Sequence, residues 1–550
     1  MSKRSVLGRL VDFARREPGE VLAIVLVLHV LMWTFLPALL NANLQLDLAE
    51  DLALGKEWQL VYWKHPPLPW WLAAGLYELT GDVRSVYLLG SLSATITMAV
   101  LWRLGRDIVG AFPALLAVLA LEGLHFLNFS AVKFAHDQCQ LPFWALTALF
   151  FHRALTREKV LDWALAGVFL ALAFWSKYAA FALAATLGLF LLVDAEARKA
   201  WRTPGPYVMA LAFAVVIAPN AWAVVQSDFL PFRYVDARAK TADHWWQFIV
   251  FPLQWGLGQL LFLLPMLGLL ALLYPIARTT AAPLTIGDVD PNVVRSGALD
   301  RRYLAWMALG PFAVTTVVAT VLGRLPVAMW GYPLWDLLPL AVLAWRGAPA
   351  EERRLRWFAG AAITALFAMP LVYVVVEEVE PYWRDRPKAT QFPGRRLAEI
   401  VSRDFFEKTG RPLAYVAGTE FAANNVAVYA PTRPHVIVHG RPELSPWIDM
   451  ADVRRQGLLL VWEEHGQPLV EGWMKTFPGA TVRGRITLPR QARGKVAPVR
   501  LQYAIVPPEG APLIILPPAA MPPAGASPPA SPPPAPPPPA PSRPDAPPPG

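Results

Sequence analysis

Asp47, Glu50 and Asp51 stand at the start of the stretch LDLAEDLALGKEWQLVYWKHPPLPWW. Their spacing of i, i+3 and i+4 places them on one face of a helix. Downstream come Lys64 and His65, followed by Pro66 and Pro67, whose fixed φ angles hold both cations in a rigid turn. Moving a sugar from a phosphate to a hydroxyl needs a carboxylate that takes the hydroxyl proton. It also needs cations that hold the departing phosphate. An isolated acidic turn would read as a solvated loop helix. The basic turn alone would read as an interfacial turn before an amphipathic helix, Leu68–Leu79, bearing Trp70, Trp71 and Tyr77. Together, in one loop, the two favour chemistry.

Two further places carry charge where apolar residues dominate. Asp137, in KFAHDQCQLPFW, begins an apolar run and alone could be only a helix N-cap. Lys177 and Tyr178, in GVFLALAFWSKYAAF, interrupt an apolar hairpin. A lysine there can snorkel to water, but a buried cation in such a hairpin marks a functional site by default. The candidate catalytic residues are therefore Asp47 and Asp137. The candidate binding residues are Glu50, Lys64, His65, Lys177 and Tyr178. Glu122 and Asp336 fall inside apolar runs, must face protein or water, and are given no role.

The elements that position these residues follow from composition. The 550-residue chain is 55% hydrophobic and only 17% charged, against about 25% charged in soluble domains. Apolar runs of membrane length are expected near 21–40, 86–102, 111–130, 139–153, 162–176, 179–193, 206–226, 248–276, 303–322, 326–345 and 357–376, about eleven spans in all. Met1–Glu20 is basic, and Val21–Leu40 lacks a small-residue cleavage site, so it reads as a retained first span. Every second connection is basic: Arg103/Arg106, Arg153/Arg157/Lys159, Arg198/Lys199/Arg202, Arg278/Arg295/Arg301/Arg302 and Arg346/Arg353/Arg354/Arg356. The positive-inside rule then puts the N-terminus in the cytoplasm. The first loop (41–85), Asp137, Lys177 and everything after residue 377 fall outside. The net charge of +9 belongs to these loops, not to nucleic-acid binding. The one cysteine, Cys139, excludes an internal disulfide and a Cys-rich metal site. Residues 1–377 thus form the membrane domain and 378–507 a small outer α/β domain. Its expected strands are Leu413–Val416, Val436–His439, Leu458–Trp462 and Leu501–Val506, with helices at Glu420–Tyr429 and Asp449–Gln456. Residues 508–550, rich in Pro, Ala and Ser, form a disordered or polyproline tail.

The pattern D-x-x-E…G-x-x-W…Y-x-K-H-P-P-L, with an Asp before a later span and an S-K-Y hairpin, resembles the GT-C glycosyltransferases that use polyprenyl-phosphate sugars. These include the protein O-mannosyltransferase-like family, the lipid A aminoarabinose transferases and the lipid A galacturonosyltransferases. The resemblance spans residues 1 to about 345, and His65 follows Asp47 by 18 residues, as in members with D-E-x-Y-Y…D-H-P-P-L. It implies a catalytic acid at Asp47, an assisting acid at Asp137, and phosphate-holding cations at His65 and Lys177. It implies an inverting sugar transfer to lipid A, another glycolipid or a protein, in the bacterial inner membrane. The chain departs from the pattern at Leu48, where relatives carry Glu, and has His65-Pro66 where the aminoarabinose branch has Lys-Pro. No cofactor is assigned, and a divalent metal stays open. A transporter or flippase would instead place its polar residues near mid-bilayer, with broken helices or inverted repeats. A purely structural scaffold would leave the first-loop cluster without a purpose.

Overall fold

The computed structural model describes residues 5–274, 297–464 and 469–510. Arg278, Arg295 and all of the Pro-rich tail beyond residue 510 lie outside the described residues.

A short helix α1 (Val6–Arg16) precedes α2 (Pro18–Leu40), which opens on a proline whose missing N–H costs nothing in the first turn. Helices α3 (Leu46–Gly55) and α4 (Leu68–Thr80) fill the first loop. They are followed by α5 (Tyr87–Val109), α6 (Ala111–Ala120), α7 (His136–Arg157), α8 (Val160–Ser176), α9 (Phe181–Val193) and α10 (Gly205–Gln226). A short α11 (Leu230–Arg238) leads to α12 (Gln247–Leu273), α13 (Ala298–Val321), α14 (Leu338–Arg346) and α15 (Glu352–Val374). Among the described residues, six stretches are long and apolar enough to cross a membrane: Pro18–Leu40, Val83–Val109, Gly205–Gln226, Gln247–Leu273, Ala298–Val321 and Glu352–Tyr382. Three shorter apolar helices are Ala111–Gly123, Val160–Ser176 and Tyr178–Val193. Residues such as Phe35, Leu211, Trp222, Leu253 and Val317 point outward uncovered, as apolar surface facing lipid would.

Two expected spans are helical over only part of their length. The segment 111–130 tightens into a 3₁₀ turn at Leu121–Gly123, where a Cβ on Gly123 would approach the Met266 amide nitrogen to 2.4 Å. The segment 326–345 opens as a 3₁₀ helix, Ala328–Leu334, containing Gly331 and Pro333, and only then becomes α14. Glu122 faces protein, as its position requires. His29 Nε2 donates to the Leu127 carbonyl at 2.9 Å, and Nδ1 lies 3.3 Å from Glu122 Oε1.

Strands β1 (Lys240–Thr241) and β2 (Arg324–Leu325) form a two-residue antiparallel ladder. After α16 (Gly394–Thr409) the chain builds a five-stranded sheet from β3 (Tyr415–Gly418), β4 (His435–Ile437), β5 (Leu458–Glu463), β6 (Thr481–Leu488) and β7 (Val499–Val506). Helices α17 (Glu420–Tyr429), α18 (Met450–Gln456) and α19 (Val470–Thr476) connect them. Strand order is β4-β3-β5-β7-β6. The first three strands are parallel, and β7 runs antiparallel to both neighbours. β3 and β5 are almost wholly buried apolar runs, the mark of parallel strands covered on both faces.

The C-terminal sheet is fastened to the first loop. Asn43 donates its amide to the Thr390 carbonyl at 2.8 Å. Lys56 donates to the Pro434 carbonyl at 2.8 Å, His435 Nδ1 meets Glu57 at 2.8 Å, and α17 packs on α3. The core shared by these segments includes Leu48, Leu52, Tyr62, Trp70, Ala422 and Val426, each at most 1% exposed.

Candidate active site

Helix α3 carries the acidic face. Leu48, Ala49, Leu52 and Ala53 are buried and lock it between α4 and α17. Gly55 ends it where no side chain fits: a Cβ would stand 2.2 Å from the Trp70 carbonyl oxygen. Glu50 and Asp51 are fully covered, while Asp47 is half-buried and is the acid that solvent can reach.

Lys64, itself buried, aims its ammonium at two carboxylates. Nζ lies 2.5 Å from Glu50 Oε2 and 2.9 Å from Glu420 Oε1. Glu420 opens α17 and comes from 356 residues away. Its second oxygen lies 3.8 Å from His439 Nε2. Burial opposes the Lys64 charge, but Glu50, Glu420 and Asp47 outweigh it and hold Lys64 protonated above the usual lysine range. Burial pushes Glu50 up, with Glu420 and Asp47 adding to it against the pull of Lys64. Glu420 is also desolvated, yet Lys64 and His439 bring it below the usual range. Of the pair that shares Lys64, Glu50 is the one biased toward the neutral form and Glu420 the one that stays charged. Asp47 is raised by burial first. Lys64 opposes this, and Glu420 and Asp137 reinforce it. Asp51 is raised well above the carboxylate range by burial, then by Asp47 and Glu50.

A second cluster adjoins the first. Lys177 Nζ lies 2.5 Å from Asp137 Oδ1, with both side chains largely covered, and 5.7 Å from the centre of the Trp330 ring. His65 stacks on His136 with ring centres 3.9 Å apart. Trp70 stands edge-on to His136 at 5.4 Å and Tyr234 edge-on to His65 at 5.5 Å. Burial, then His136, Lys64 and Lys177, hold His65 well below the usual imidazole range. His65, expected as a cation, is therefore held toward its neutral form, because burial and the neighbouring positive groups disfavour the charged ring. Trp63 bridges the clusters, meeting both Tyr234 and His439 at 5.0 Å.

Glu50 and Lys64 thus meet directly, with Asp47 within electrostatic reach, and the Lys177–Asp137 pair acts through its charge on His65, which packs on His136. Tyr178 turns elsewhere: its hydroxyl donates to Asn220 Oδ1 at 3.2 Å, and its ring stacks on Phe232. The cause is local. Lys177 is extended, with φ −161° and ψ 133°, so adjacent side chains diverge. Glu420, His439, Tyr234 and His136 are absent from the motif reading. His136 was within its reach, as the residue before Asp137. The others belong to no local pattern. Among the described residues no group of three or more His, Cys, Asp and Glu side chains is arranged to hold a metal ion. A half-buried carboxylate of raised proton affinity can take a proton from a hydroxyl, and a lysine with imidazoles in its neighbourhood can receive an anion.

A family model described as dolichyl-phosphate-mannose-protein mannosyltransferase matches residues 64–222. No curated protein sequence matches the chain. Its fold is similar to the crystal structure of ArnT from Cupriavidus metallidurans bound to undecaprenyl phosphate. The TM-score is 0.55 at 13% identity, covering 91% of this chain and 98% of that one. ArnT from the same organism in the apo state gives 0.49 at 15% identity, covering 89% and 98%. The apo oligosaccharyltransferase of Archaeoglobus fulgidus gives 0.39 at 12% identity, covering 80% and 69%. The chain is a multi-pass membrane protein with the GT-C fold.

Proposed function

We propose that the chain is a membrane glycosyltransferase that moves a sugar from a polyprenyl-phosphate donor to a hydroxyl of an envelope acceptor. The acceptor is lipid A, another glycolipid or a protein. The attacking hydroxyl gives its proton to Asp47 as its oxygen bonds to the anomeric carbon. The carbon–oxygen bond to phosphate breaks, and its electron pair stays on the phosphate. Attack opposite the leaving group inverts the anomeric centre. Lys177 and His65 receive the phosphate charge, and Asp137 holds Lys177 in place while the site is empty. Glu50 and Lys64 set the field around Asp47. Tyr178, through Asn220, braces the loop at Leu60, whose carbonyl accepts from Asn220 Nδ2 at 2.7 Å. The alternation of basic connections supports a site on the outer face of the bacterial inner membrane, with the N-terminus cytoplasmic and the C-terminal sheet periplasmic.

One observation carries this reading: within a GT-C fold, half-buried Asp47 lies on the same helix face as the Lys64-bound Glu50 and within electrostatic reach of Asp137, which pairs with Lys177. The ArnT crystal structure with undecaprenyl phosphate supports the donor class. Mass spectrometry of envelope glycolipids and glycoproteins from wild-type and deletion strains tests it. One sugar should vanish from one acceptor class. Identical profiles, with the lipid-linked sugar made normally, would contradict the reading.

A further inference from the structure

We propose that Glu420, delivered by the C-terminal sheet, is a positioning residue of the transfer site: it holds the Lys64 ammonium away from Asp47 and so preserves Asp47 as a base. The inference rests on the glycosyl-transfer reading of this site.

The geometry is that of a shared cation. Lys64 Nζ is gripped from one side by Glu50 of α3 at 2.5 Å and from the other by Glu420 of α17 at 2.9 Å. Asp47 and Glu50 lie three residues apart on α3, so an ammonium within reach of one is a short swing from the other. An ammonium has three donors to place. With Glu420 gone, Lys64 loses one of its two carboxylate partners, and Asp47, whose charge already acts on Lys64, is a further carboxylate on that face of α3. A carboxylate paired with lysine loses about one to three pKa units, and with them its strength as a proton acceptor.

Glu420 is built to be rigid. Gly418 ends β3 at φ +136°, and a Cβ there would overlap the Val461 carbonyl oxygen at 1.7 Å, so only glycine brings the chain out at this point. The Thr419 amide then donates to that same carbonyl at 3.1 Å, and α17 begins at Glu420. A carboxylate in the first turn is favoured by the helix N-terminus. His439, itself at φ +53° with its carbonyl accepting from Trp473 Nε1 at 2.7 Å, backs the far oxygen.

Fastening the sheet does not require this charge. Lys56 to Pro434, Glu57 to His435 and Asn43 to Thr390 already tie the two segments together without Glu420. The groups facing Asp47 are Lys64 and Glu420, Asp137 and Lys133, with Glu50 and Asp51 from its own helix. Removing Glu420 subtracts a neighbouring negative charge and frees a positive one. Both effects lower the proton affinity of Asp47.

The test uses the full-length protein in liposomes, comparing wild type, Glu420→Gln, Glu420→Asp and the fastening control Glu57→Gln. Two measurements are made. The first is the pH dependence of carbodiimide labelling at Asp47, read by peptide mass spectrometry, which needs no substrate. The second is kcat and KM against pH with synthetic undecaprenyl-phosphate sugars (a hexose, an aminopentose and a uronic acid). In Glu420→Gln the Asp47 labelling midpoint should fall by about one unit or more. The acid limb of kcat should move with it, and plateau kcat should drop severalfold with little change in donor KM. Glu420→Asp should recover part of both, and Glu57→Gln should match wild type. An unmoved midpoint in Glu420→Gln, or one moved equally by Glu57→Gln, overturns the proposal whether or not transfer is seen. A shifted midpoint with no transfer from any donor by wild type supports the positioning role and contradicts the transferase reading alone.

Discussion

Replacing Lys64 by Met should destabilise the protein in a pH-dependent way. Lys64 neutralises Glu50, whose side chain is 2% exposed, and Glu420, which is 26% exposed. Removing one partner of a buried pair costs about 3–5 kcal/mol, because the other charge is left without compensation. Two features place this case near the lower end, at about 3 kcal/mol. Glu420 keeps some solvent, and Glu50 already leans toward its neutral form, so it can take up a proton instead of standing as a bare charge. The sign follows. Without Lys64, burial, the largest influence on each glutamate, is expected to hold both folded-state proton affinities above that of an unfolded glutamate near pH 4.5. Their contribution is intact below that value and is lost as pH rises through the raised values. Wild type lacks this loss at Glu420, which Lys64 holds low. The deficit of Lys64→Met should therefore be small near pH 5 and grow toward pH 8. Unfolding midpoints in detergent across this range read it out. Adding Glu420→Gln should recover part of the loss, because one of the stranded charges is gone. Equal deficits at pH 5 and pH 8, or a double variant less stable than Lys64→Met, would refute this account of the cluster.

Other expectations concern the reaction and its setting. Asp47→Asn keeps size but cannot take a proton, so turnover should fall by about 10²–10⁴-fold with donor binding little changed; wild-type turnover would end its assignment as base. Asp137→Asn should be less harmful, and complete inactivity confined to it would exchange the two roles. Lys177→Ala should raise the apparent KM for the lipid-phosphate donor more than that for the acceptor, and unchanged donor use would place phosphate binding elsewhere. A periplasm-active reporter fused after residue 380 should work and one at Arg198–Trp201 should not; the reverse pattern would put the site on the cytoplasmic side.

The sequence exposes those parts of the site where a residue violates its surroundings. Lys177 inside an apolar hairpin, Asp137 at the head of an apolar run and the acids of α3 beside a proline-locked basic turn are all costly placements unless something uses them. Tyr178 looked like part of the same signal, yet the extended Lys177 backbone turns it toward Asn220. Glu420 violates nothing locally. It is an ordinary first-turn acid on a helix that sequence alone delimits well, and only the docking of α17 on α3 makes it a partner of Lys64. In the C-terminal sheet, the apolar β5 is plain in the sequence. Edge strand β6, with Arg485, Gly484 and a bulge, carries no such run. Helix α16 shows its stripe at Leu397, Val401 and Phe405 only to a reading at helical period. The partial helices at 111–130 and 326–345 have ample hydropathy, and close packing at Gly123 and the Gly331–Pro333 segment decide their shape.

The most direct test of the central claim is a reconstitution in liposomes. Purified wild-type protein and Asp47→Asn would be given undecaprenyl-phosphate sugars on one leaflet together with total envelope lipid and protein as acceptors. Free undecaprenyl phosphate should appear in step with a newly glycosylated acceptor, and both should be lost in Asp47→Asn. Movement of the intact lipid-linked sugar across the bilayer, with no cleavage of its sugar–phosphate bond and no dependence on Asp47, would contradict it.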